Sequence, residues 1–197
     1  VSAPARIGAA VAGTGLLALG MWFYALQPGL RSHETDPVQT TGAMGEEVAN
    51  PAFTVKVERV DVATSLKSQR LVAGAPDVAT DGLFVIVHLR AKSNQKPFSL
   101  RDVHLETPGG YLYSTEPRLG TSDLVAVSYE PLIWGPAVVS FEIPKSRLAG
   151  AHLVIGEARL LAQLSAETSV DLGIGRARAA ALISHAAQGY QMRAGSP

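Results

Sequence analysis

Three histidines, His88, His104 and His152, lie in three separate segments of alternating apolar and polar residues. Imidazole is the side chain best suited to bind zinc or move protons near neutrality. A zinc site, however, needs clustered ligands at set spacing, and neither H-E-x-x-H nor H-x-H is present. Each histidine is flanked by residues that point inward, so all three are expected on outer strand faces as solvated side chains rather than as a metal site. Ser184 and His185 are neighbours, but no G-x-S-x-G elbow accompanies them, and a nucleophile with its base also needs donors for an oxyanion. Glu46 and Glu47 stand in a polar segment where nothing raises a carboxyl pKa, so acid–base work is not expected of them. "GIGRA", Gly173 to Ala177, faintly echoes a phosphate loop but lacks the third glycine, the following strand and the α/β fold around it. With no cysteine in the chain, disulfides, thiolate metal sites, a cysteine nucleophile and a lipidated cysteine are all excluded. The expectation is a protein with no enzymatic activity, catalytic residue, metal or cofactor.

One other residue draws interest. Trp134 stands in a corner between Pro131 and Pro136. Such a tryptophan either plugs the end of its own domain or projects as an anchor for a partner. The plug is favoured, because folded domains rarely leave large apolar area exposed; Trp134 is nonetheless the candidate partner-binding residue of the chain.

The elements that would hold these residues fall into five parts. Residues 1–6 form a short head, read as cytoplasmic. Residues 7–26, from Ile7 to Leu26, carry no charge. At 1.5 Å per residue such a helix spans a hydrocarbon core of about 30 Å, so a single transmembrane helix is expected, in contact with the lipid bilayer. Trp22, Phe23 and Tyr24 would sit at the membrane interface, and Pro28-Gly29 would stop the helix. A cleaved signal peptide would have a shorter apolar run ending in small residues. The six-residue head is placed inside and the large part outside the cell membrane. Residues 27–50 are read as a flexible stalk, since no apolar period survives there.

From residue 51 to 175 the period is two. "FTVKV" turns Phe53, Val55 and Val57 to one face. "LFVIVHLRA" turns Leu83, Val85, Val87, Leu89 and Ala91 inward, and its other face begins apolar at Phe84 and Ile86 before turning polar at His88. "AVVSFEI" and "VDLGI" alternate likewise. Shorter candidates are 98–100, 103–107, 111–113, 124–129, 151–155 and 159–164. "TPGGY" supplies a tight hairpin. About eight to ten short strands with turns between them and almost no internal helix predict an all-β, antiparallel sandwich. Residues 176–197 form a basic, alanine-rich helix or tail, with Leu182, Ile183, Ala186, Ala187 and Tyr190 at helical spacing, expected as a frayed terminal helix resting on the sandwich. Acidic and basic residues balance at seventeen each, which gives no field favouring nucleic acid.

Taken together, "DGLFVIVHLRAKSNQKP", the "TPGGYLY" hairpin, "WGPAVVSFEIP" and "LAGAHLVIG" resemble a family of bacterial extracytoplasmic domains of unknown function. Those domains are described as telokin-like, with an immunoglobulin-like sandwich. Gly82, Asn94, Gly110 with Tyr113, Gly135 and Pro144 carry the likeness, over roughly 53–174. The resemblance implies membrane anchoring and brings no catalytic residues. The expected function is contact with an unidentified membrane or envelope protein; the alternative is an accessory subunit of a transporter-like membrane complex.

Overall fold

The computed structural model describes residues 15–22, 38–67, 77–100, 102–115, 128–156 and 165–191. The chain divides into two compact units, 1–36 and 37–197. In the first, residues 15–22 form a helix, α1. No helix among the described residues is long and apolar enough to cross a membrane. Residues 7–14 and 23–26 of the expected span, with Phe23 and Tyr24, lie outside the described residues.

The second unit is a β-sandwich. One sheet has the order β1-β11-β10-β6-β7, built from Val38–Ala43, Ala166–Asp171, His152–Gly156, Asp102–Thr107 and Tyr111–Ser114. The other has the order β2-β3-β4-β9, from Val48–Ala49, Phe53–Leu66, Val78–Ser93 and Gly135–Ile143. A two-stranded piece, β5 (Phe98–Ser99) with β8 (Ser128–Tyr129), closes one end. Among the described residues the named strands pair antiparallel, except β1 with β11. The expected inward sets (Phe53, Val55 and Val57; Leu83 to Ala91 at alternate positions; Ala137, Val139, Phe141 and Ile143) all enter one core, where they meet Leu105, Leu153, Ile155 and Val170 of the facing sheet. Burying alternate side chains against a second sheet is what period two encodes. The candidates at 124–127 and 159–164 lie outside the described residues.

Two boundaries differ from the sequence reading. The stalk expected over 27–50 contains β1 and β2, so the sandwich begins at Val38 and not at residue 51. "VQTTGA" shows no apolar alternation because its inward residues are Thr40 and Gly42. A side chain at 42 would run into Val48, and pairing with β11 rather than burial makes the strand. The terminal helix, α2, ends early, spanning Arg176–Ser184. Beyond it, as far as Gln191, the chain runs beside β3 with a bend at Gln188 and Gly189: Ala187 bridges Ala63 and Tyr190 bridges Leu66, both in parallel, and 192–197 lie outside the described residues. The tail is therefore an added edge to β3, not a frayed helix.

Candidate interaction sites on the sandwich

A register shift between Val57 and Arg59 keeps Val57, Val60 and Val62 in the core and turns Arg59 and Asp61 to the outer face. This bulge adds a residue to one strand and so reverses its faces. Arg59, His88 and Val138 then stand in one cross-strand row, with Asp61, Ile86 and Ser140 in the next. The tail runs beside β3 and lays the side chains of Ala187 and Tyr190 over this face. Ala187 donates to the Val62 carbonyl at 3.0 Å and Thr64 to that of Ala187 at 2.8 Å; Tyr190 donates to the Ser65 carbonyl at 3.0 Å and Lys67 to that of Tyr190 at 2.9 Å. Ala187 and Tyr190 also pack on an apolar cluster of Ala63, Leu66, Phe84, Ile86 and Val138.

A four-residue polar cluster locks the tail in place. The Tyr190 hydroxyl donates to Asp61 Oδ2 at 2.6 Å, and Arg59 Nε lies 3.0 Å from the same oxygen. Nε2 of His88 stands 2.9 Å from the Tyr190 hydroxyl, 3.2 Å from Asp61 Oδ2 and 3.2 Å from an Arg59 guanidinium nitrogen. His88 is only 8% exposed, so the expectation of a solvated imidazole is overturned. Burial first, and then the Arg59 charge, hold its pKa below the ordinary value. The Tyr190 phenol is pushed up to about 12, by burial and then by its bond to Asp61, so it remains a donor across the neutral range. Between this cluster and α2 runs an open groove of about 600 Å³, lined also by Arg178, Leu182 and His185.

His104 and His152 do lie on outer faces, but of the opposite sheet, on β6 and β10. The three histidines therefore do not converge. Among the described residues no three His, Cys, Asp or Glu side chains are grouped to hold a metal. Ser184 Oγ donates to the Ala181 carbonyl at 2.9 Å and stands 3.0 Å from His185 Nδ1. This closes the last turn of α2.

The corner around Trp134 is organised otherwise than the sequence suggested. The buried plug is Tyr129, 1% exposed, whose ring tilts against Phe98 at 5.3 Å between centroids. Phe98 in turn stacks on Phe53 at 4.8 Å. Gly135 leaves room for this ring, since a Cβ there would come within 2.9 Å of it. Trp134 is half-buried, with the Lys92 ammonium 4.5 Å from its ring centroid. Just before it, Leu132 and Ile133 are 76% and 65% exposed. Leu132 takes φ 64°, the only positive φ at a described residue other than glycine. A side chain in that region is strained, and this one gains no packing in return.

Asn50 and Asn94 pin this end together. Asn50 Oδ1 accepts from the Ala52 and Phe53 amides at 2.8 Å each, and its Nδ2 donates to Thr168 Oγ1 at 2.9 Å. Asn94 Nδ2 donates to the Asn50 carbonyl at 2.7 Å. Sequence reasoning singled out Asn94 but missed Asn50, which it placed in the stalk, and the Arg59–Asp61–Tyr190 group. The broken alternation of "VERVDV" was the available signal for the bulge.

With this geometry in view, no protein-family model matches the chain, and no curated protein matches it. Solved structures are similar to it. The yjhA protein from Bacillus subtilis aligns with a TM-score of 0.50 and 13% identity, covering 66% of this chain and 99% of that one. The secreted protein MPT63 from Mycobacterium tuberculosis aligns at 0.44 and 11% identity, over 68% of this chain and 97% of its own. An uncharacterized β-sandwich protein from Clostridium difficile 630 aligns at 0.40 and 9%, over 69% and 95% respectively. What the first of these shares with the chain is the fold; its identity carries no function across.

Proposed function

We propose that the chain is a non-enzymatic, single-pass protein of the cell membrane. Residues 7–26 cross the bilayer, the N-terminus is cytoplasmic, and the sandwich contacts an unidentified membrane or envelope protein outside. The observation that supports the tether is helix 15–22, apolar throughout yet exposed at all eight positions. Leucines 16, 17 and 19, Met21 and Trp22 in one short helix need an apolar surrounding. For the sandwich we take a variant of the immunoglobulin-like, telokin-like plan, with two layers and the first strand set parallel beside the last. The non-enzymatic reading is supported by Asp61, whose Oδ2 is already engaged by Tyr190 and Arg59 in holding the tail.

A second reading makes the chain an accessory subunit of a transporter-like complex, with the helix as an interface. Open space around Gly15 and Gly20 would let a second helix approach closely. Alkaline extraction of membranes and a reporter fused after Pro197 test the first proposal. The chain should resist extraction and the reporter should work only outside the cytoplasm; release into the supernatant would refute it. Co-purification of membrane partners in mild detergent, lost when Gly20 is replaced by Leu, would favour the second reading.

A further inference from the structure

We infer that the corner Leu132–Ile133–Trp134 is a lipid-contacting tip, which seats one end of the sandwich on the bilayer surface. The inference rests on the tethered reading above and names what this corner touches.

Connectivity places the tip at the end where the chain enters the sandwich. Leu132 donates to the Ser93 carbonyl at 2.9 Å, at the close of β4. Asn94 is joined through Asn50 to Thr168, which pairs with Thr40 in β1. From Thr40 toward Ala43 the strand runs away from this end, because Gly45 bonds to Val57 while Asn50 bonds to Phe53. Val38, at the other end of β1, is therefore on the side of the tip, and it too is an exposed apolar residue. Eleven residues, 27–37, separate the apolar stretch from Val38, and even fully extended they reach at most about 40 Å. A tether of that reach attaches at the tip's own end.

The chemistry of the corner suits an interface of lipid and water. Two aliphatic side chains project outermost, and behind them an indole ring carries a lysine ammonium against its face. Tryptophan and lysine are the side chains that settle at headgroup level while apolar neighbours go deeper. Lys96 in the adjoining loop adds positive charge and Glu130 subtracts one, leaving the corner slightly cationic for anionic lipid. The left-handed Leu132 fits the same account, since a strained, exposed leucine has a use only if something apolar meets it.

The chain has no cysteine, so a single one can be introduced for a spin label. The full chain with Ile133→Cys, labelled and reconstituted in phosphatidylethanolamine–phosphatidylglycerol vesicles, should show a label several-fold more accessible to oxygen than to a water-soluble nickel complex. A Glu46→Cys label, in the turn after β1 at the opposite end, should show the reverse. Leu132→Gly should relieve the left-handed strain, raising the melting temperature of the sandwich while making the Ile133→Cys label more aqueous. If the chain floats with the vesicles but the label at 133 is aqueous, the tip inference falls and the tether stands. Dipolar broadening between labels would assign the corner to a second copy and overturn the inference. A chain that fails to float refutes the tether and this inference with it.

Discussion

Replacing Tyr190 with Phe tests the tail directly. The ring keeps its packing on the Phe84–Ile86 face, and only the hydroxyl is lost. That hydroxyl donates to Asp61 at 2.6 Å, and hydrogen bonds to charged groups contribute about 1.5–3 kcal/mol. The Asp61 side chain is 28% exposed, so solvent screening reduces the contribution to about 1–2 kcal/mol. Most of it should appear as weaker tail docking, because four backbone bonds and this cluster hold 187–190 to β3. At 25 °C that loss speeds local opening by about 5- to 30-fold. Native-state hydrogen exchange should therefore quicken by that factor at the amides of Thr64, Lys67, Ala187 and Tyr190, and remain unchanged at Leu153 and Val154 in the middle of the other sheet. Asp61→Asn combined with Tyr190→Phe should show a coupling of about 1 kcal/mol in a double-mutant cycle. Unchanged exchange at the tail, equal quickening throughout the domain, or strictly additive mutants would refute the latch.

Tyr129→Ala should cost about 3–5 kcal/mol in urea unfolding, from the cavity left against Phe98, whereas half-buried Trp134→Ala should cost less than about 2; the reverse order would restore Trp134 as the plug. The folded-state pKa of His88 lies below its unfolded value of 6.5, so the unfolded chain takes up the proton first. Stability should thus be complete above pH 6.5 and fall as acid carries the pH down through the folded pKa. The groups facing the imidazole are Arg59, Asp61, Glu58 and Tyr190, and His88→Gln should flatten the fall in melting temperature between neutral pH and about pH 5. A chain beginning at Pro37 should fold cooperatively, while one beginning at Pro51 should aggregate, because losing β1 bares the edge of β11; equal solubility of the two would contradict the boundary found at Val38.

Where a strand faces another sheet with apolar side chains at every second position, its role was legible from the residues alone. Phe53 to Val57, Leu83 to Ala91 and Ala137 to Ile143 entered the core in the expected phase. The Pro108–Gly110 turn also stood where "TPGGY" placed it, with Gly109 and Gly110 both at positive φ. Periodicity tells which face a side chain takes, because that is a local property of an extended chain. It does not tell what a distant segment lays over that face. His88 was correctly put on the outside of its strand, yet it is buried there by Tyr190, 102 residues along the chain. Tyr190 and Ala187 fitted helical spacing equally well, and only the edge of β3 decided that they bridge a strand instead. β1 escaped notice for a related reason, since an edge strand made by backbone pairing need not carry an apolar face. Composition and alternation thus determined a two-layer β body behind an apolar stretch. The latch, the plug and the strained tip were decided in three dimensions, because each depends on contacts between residues that no local period relates.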